Sequence, residues 1–141
     1  VYATLDDLRA RYGDDELRQI SDLDGAADAI DAGRVEQAIA VATDQVGSYL
    51  RKRYALPLTT VPVSIVEATC IIARHWLATS GRSMPTEQMN RERDAQLRWL
   101  RDLASGLVTL EGAAEVKASP GASARVSDRE RRFEPGSGRL W

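Results

Sequence analysis

Between Val63 and Thr79 only Glu67, Arg74 and His75 carry a charge or an imidazole. Two adjacent helical stripes in that segment are largely apolar: Ile65, Thr69, Ile72 and Trp76, and beside them Val66, Cys70, Ala73 and Leu77. A helix apolar on two sides has to be packed on more than one side. The rest of the chain must supply the helices that surround it, so the expected fold is all-α, a small bundle built around this segment. Pro62 suits the first turn of the central helix, and Gly81 stands just past its end.

The flanking segments supply the partners. Asp31 or Gly33 opens a long helix predicted to run to about Tyr54, with the stripe Val35, Ile39, Ala42, Val46, Tyr49 and Arg53, widened by Ala38 and Leu50. Arg53 ends the stripe, where its methylenes can lie on the core while its charge stays in water. Arg51, Lys52 and Arg53 also fall where cations favour a helix C-terminal dipole. Pro57 blocks continuation, and Leu56 before it is pushed extended. Thr86 caps a third long helix to about Ser105, and Gly106 is its stop. Its stripe is Met89, Leu97, Leu100 and Ala104, flanked by Ala95, Trp99 and Leu103. On its other side Arg91, Arg93, Arg98 and Arg101 alternate with Glu92, Asp94 and Asp102, which reads as a solvated face.

At the start, Thr4 can cap a short helix through Tyr12, with Asp7 at the capping-box position and Gly13 as the stop. Asp14 to Ile20 can add a turn or two, and SDLDGAADAIDAG reads as a loop. The candidate core is Val35, Ile39, Val46, Leu50, Ile65, Val66, Ile72, Trp76, Leu77, Leu97 and Leu100. After Leu110 the sequence becomes rich in Gly, Ala, Ser and charge, too poor in large apolar residues to fold alone. The expected division is a helical body over 1–110 and an extended arm over 111–141, ordered on assembly through anchors such as Phe133 and Trp141. The plainer alternative for that arm is a frayed terminus.

Charge is unevenly placed. Residues 1–33 hold nine acids against three arginines, a net of −6, while residues 34–61 hold four cations against two acids, a net of +2. Such asymmetry can orient a protein against charged neighbours; a solvated acidic loop is the simpler reading. No apolar run approaches the ~18 residues of a membrane span. The acidic, amphipathic start VYATLDDLRARYGDD does not read as a secretory signal. One cysteine, Cys70, excludes an internal disulfide and a multi-cysteine metal site, and suggests synthesis in a reducing cytoplasm.

Catalysis has little to work with. His75 has no metal ligand at helical spacing, and Cys70 falls on an apolar stripe as a small hydrophobe. The aspartates lack the spacing of a calcium loop, and no phosphate loop, nucleophile elbow or zinc helix is present. No cofactor and no metal is expected, and the chain does not read as an enzyme. For nucleic acid, Arg51, Lys52 and Arg53 lie beside Tyr49 and Tyr54, and Arg129, Arg131 and Arg132 lie beside Phe133. Against this stand a pI near 5.5 and a would-be recognition helix, GDDELRQISD, that would repel phosphate.

Four pieces occur in order: YATLDDLRARYGDDEL, YLRKRYALPLTTVP, RWLRDLASGLVTL and DRERRF. Together they resemble the small head–tail connector proteins of tailed bacteriophages, in the branch found in Mu-like phages and prophages; the final PGSGRLW falls outside the pattern. The resemblance implies a helical adaptor, or head-completion protein, made in the host cytoplasm and located in the virion at the head–tail junction. It implies a ring of about twelve copies under the portal, extending the channel for packaged double-stranded DNA and meeting a downstream neck or tail protein. No membrane partner is implied. Candidate subunit or portal contacts are Arg51, Lys52, Arg53, Arg129, Arg131, Arg132, Phe133 and Trp141. The alternative class is a soluble regulatory binding module of a phage or prophage, with possible nucleic-acid contact.

Overall fold

A computed structural model describes residues 1–25, 28–82 and 84–116 of the 141-residue chain. The described residues form five helices: α1 Leu5–Tyr12, α2 Asp14–Ser21, α3 Ala32–Leu50, α4 Val63–Ser80 and α5 Glu87–Ser105. The fold is all-α, three long helices with two short ones at the N-terminal end, where the sequence suggested one short helix and a turn or two. α3 and α4 are the main pair and each also touches α1, α2 and α5, whereas α5 packs only on α3 and α4.

The helix starts follow local chemistry. Thr4 Oγ1 accepts from the Asp7 amide at 3.2 Å while the Thr4 amide donates to the Asp7 carboxylate at 2.8 Å, a complete capping box. Asp31 and Thr86 accept in the same way from Arg34 N and Met89 N. Asp22 folds the loop after α2 by accepting from the amides of Asp24 and Gly25. At the end of α5, Gly106 takes φ +95°, and the Leu107 amide reaches back to the Asp102 carbonyl at 2.9 Å.

The core runs along the α3–α4 seam. Val35, Val46, Ile65, Leu77 and Leu100 are fully buried, and Ile39, Leu50 and Ile72 nearly so. Three expected core residues are corrected: Val66, Trp76 and Leu97 pack against the core but are only partly buried. Trp76 lies at the rim under the Arg34 guanidinium, 5.5 Å from the ring centre. Leu97 loses cover because α5 has neighbours on one side only. Buried instead are Leu8, Leu17, Tyr54, Leu103 and Thr69, whose hydroxyl donates to the Ile65 carbonyl at 2.8 Å.

α3 stops four residues before the predicted Tyr54. Arg51 to Arg53 form a turn, and Tyr54 makes an antiparallel bridge with Glu115. Ala55 N donates to Ala114 O at 2.9 Å and Val116 N to Arg53 O at 2.7 Å. The Tyr54 hydroxyl accepts from the buried Leu110 amide at 3.0 Å. The chain just after α5 thus clasps the α3–α4 connector, in which the Leu56–Pro57 peptide is cis. Residues 111–116 of the expected arm lie on the body; 117–141 fall outside the described residues.

Candidate interaction surface

The basic triplet at the end of α3 splits into three roles. Arg53 turns inward, with its side chain 19% exposed. Its Nη1 donates to the carbonyls of Leu103 at 2.9 Å and Val108 at 3.0 Å, and its Nη2 pairs with the Glu115 carboxylate. The expectation that its charge stays in water is corrected. The carbonyls at and just past the end of α5 make a better partner than solvent for a planar, five-donor group. Arg51 stays outside and lies 3.7 Å from Asp44. Lys52 is exposed and, with Arg101, Tyr49, Ala104 and Ser105, lines a hollow of about 250 Å³.

The α5 face is less balanced than its sequence. Glu92 turns in to Arg74, Asp94 pairs with Arg93, and Glu87 pairs with Arg91. Arg98 and Arg101, one turn apart at the C-terminal end of the exposed stripe, face water, and Arg101 shares the hollow with Lys52. The neighbouring acid, Asp102, is half-buried. The solvated face expected from the sequence therefore resolves into a paired first half and a cationic second half.

The other end of α3 is acidic. Asp14, Asp15 and Asp28, with Arg9 and Arg18, line a hollow of about 360 Å³ that reaches Ala32. Asp15 is 95% exposed over an Arg18 that is 37% exposed, and Asp14 is 68% exposed over an Arg9 at 46%. Each carboxylate is more exposed than the arginine it pairs with. α3 has 19 residues, so the acidic and basic ends are about 28 Å apart at the helical rise.

Between these ends Arg74 joins four helices. It holds Glu16 on α2 through two bonds of 2.6 and 3.0 Å and Glu92 on α5 at 3.2 Å, and it stacks on the Tyr12 ring of α1 at 4.3 Å. Burial alone would lower the arginine's pKa, but the Glu16 bond and the nearby negative charges carry it above its ordinary value. His75 contacts Asn90 Oδ1 at 2.7 Å and serves the α4–α5 contact. Burial pushes the Cys70 thiol up to about 11, which makes it a poor nucleophile. Among the described residues no three His, Cys, Asp or Glu side chains gather as a metal site, and no helix is long and apolar enough to cross a membrane. An apolar hollow of about 690 Å³ lies between Pro62, Val63, Trp99, Val108 and Leu110. Arg129, Arg131, Arg132, Phe133 and Trp141 lie outside the described residues.

The sequence has relatives over most of its length. It is 34% identical over 110 residues to the Mu-like prophage FluMu protein gp36 of Haemophilus influenzae, covering 78% of this chain and 75% of the relative. It is likewise 34% identical over 119 residues to Gene product J of Escherichia phage Mu, covering 84% of this chain and 82% of that one. The family model described as Bacteriophage Mu, Gp36 matches residues 2–128. With a match of that extent, the chain belongs to the Bacteriophage Mu Gp36 family and is a phage protein of the Mu type.

Proposed function

We propose that this protein is a structural component of the phage particle, a head–tail adaptor without enzymatic activity. About twelve copies form a ring beneath the portal, continue the DNA channel, and offer a surface to the next neck or tail protein. The observation that carries this reading is the unlike charge at the two ends of the body. A ring is built from head-to-tail contacts between different faces of one subunit, and complementary charge sets register and speeds encounter. Membership of a Mu-type phage family agrees with a role in the particle.

The test is where the protein resides. Mass spectrometry of purified particles, with imaging of the neck, is expected to find it at the head–tail junction. A phage lacking it is expected to accumulate DNA-filled heads and free tails. Its absence from particles would overturn the proposal. The chain beyond Val116 is proposed to reach the portal. A chain ending after Val116 keeps the clasp on the connector, which one ending at Leu110 would lose. Normal attachment of that shortened protein to DNA-filled heads would remove the arm from the mechanism.

A further inference from the structure

We infer that the hollow between Lys52 and Arg101 is the docking site for the N-terminal turn of α2, Asp14 and Asp15, of the next copy of this chain. The inference rests on the ring reading and specifies its subunit contact.

Three observations lead to it. First, among the described residues no ion pair neutralises the charge of the hollow. Arg51 is beside Asp44 and Arg53 is bound to Glu115, while Lys52 and Arg101, which line the hollow, remain exposed. Second, the carboxylates at the opposite end are turned outward. Asp15 is nearly fully exposed and Asp14 largely so, each paired with an arginine less exposed than itself. The carboxylates are the more accessible partners to an incoming cation. Third, the two ends cannot meet within one copy, because about 28 Å of α3 separates them. Lys52 and Arg101 can therefore reach Asp14 and Asp15, which their own copy pairs with Arg9 and Arg18, only in a second copy, and the resulting contact is head-to-tail, the kind that closes into a ring. Tyr49, Ala104 and Ser105 complete the lining of the hollow with an aromatic ring and two small side chains. Small side chains in the lining leave room for a short acidic helical turn.

Carbodiimide cross-linking, which joins an amine directly to a carboxylate, is a sharp test. Lys52 is one of only two lysines, the other being Lys117. In purified particles, a cross-linked peptide pair joining Lys52 to Asp14 or Asp15 is expected, and the separation within one copy makes any such pair intermolecular. In solution, two charge-reversed variants of the full chain extend the test: K52E with R101E, and D14K with D15K. Each alone is expected to weaken self-association about tenfold or more by sedimentation, since reversal replaces attraction by repulsion. Mixed in equal amounts they should recover it. The acidified hollow of one then meets the lysine turn of the other, and the two unaltered faces meet in turn. If the lysine pair does not fold, D14N with D15N removes the charge with little change of shape and must itself weaken association.

Particles that give copy-to-copy cross-links but incorporate both variants normally would overturn this contact while leaving the ring intact. A mixture no stronger than its parts would do the same. Absence of any copy-to-copy cross-link in particles would overturn the ring reading and this contact together. Retention of duplex DNA that depends on Lys52 and Arg101, with self-association untouched, would reassign the hollow to nucleic acid.

Discussion

Arg53→Met is the sharpest probe of how the body is held together. Methionine keeps most of the apolar stem and removes the guanidinium. Two donors to the carbonyls of Leu103 and Val108 are lost, together with the pair to Glu115 and a cation 5.3 Å from the Tyr54 ring centre. Hydrogen bonds to a charged group are worth about 1.5–3 kcal/mol each, but with the side chain 19% exposed water can reach part of what is vacated. The Glu115 carboxylate is half exposed, so its pair adds at most about 1 kcal/mol. The expected loss is about 3 kcal/mol, which for a body of this size lowers Tm by roughly 10 °C. Lysine carries three donors on one nitrogen at the end of a shorter stem, so it cannot hold the two carbonyls and Glu115 from separate nitrogens as the guanidinium does, and Arg53→Lys should recover only part of the loss. Lys52→Met, one residue away on the solvent side, should stay within about 0.5 kcal/mol of the parent. Circular-dichroism melts at pH 7 give the stabilities. Hydrogen exchange at the amides of Ala55, Leu110 and Val116 reports the clasp directly. A Tm change under about 2 °C for Arg53→Met, with those three amides still protected, would refute the argument that this guanidinium ties the connector to the end of α5.

Two further outcomes follow from buried groups. Arg74→Met leaves the carboxylates of Glu16 and Glu92 partly buried without their cation, and should cost about 2–3 kcal/mol in urea unfolding; Glu92→Gln alone should cost under about 1 kcal/mol. Cys70 binds its proton more tightly folded, with burial moving the thiol from 9.0 to about 11. Between those values the folded state holds more protons than the unfolded, so stability falls as pH rises. The slope approaches about 1.4 kcal/mol per pH unit and totals about 2–3 kcal/mol. A Cys70→Ala protein whose stability declines as steeply between pH 9 and 11 would show that other groups are responsible.

Much of the fold was legible because its signals are local. Thr4 with Asp7, Thr86, and Gly106 state where helices begin and end within a few residues of themselves. The doubly apolar segment around Ile65 and Leu77 required neighbours on several sides, and α3 and α5 supply the main ones. The end of α3 was misread for the opposite reason. Arg51, Lys52 and Arg53 continue a helix well by propensity, and Tyr54 extends its stripe. What stops the helix is pairing with residues 114–116, about sixty positions away, which no local pattern announces. Arg53 did leave a sign, since it falls in the phase of Val46 and Tyr49 whereas Arg51 and Lys52 do not. Arg74 left a plainer one: an arginine in an otherwise apolar helix needs counter-charges, and Glu16 and Glu92 meet that need. Because Glu92 turns inward, Arg98 and Arg101 lose a compensating acid that the alternating sequence had credited to their face.

The bridge between Tyr54 and Glu115 has a mechanical consequence. Tension applied to the chain beyond Val116 does not arrive at the end of α5, where that segment originates. It passes first through the Val116–Arg53 and Ala55–Ala114 hydrogen bonds and enters at the corner between α3 and α4. A pull from the C-terminal side is therefore borne by the two helices with the largest shared core, and α5 with its Gly106 cap is shielded from the load.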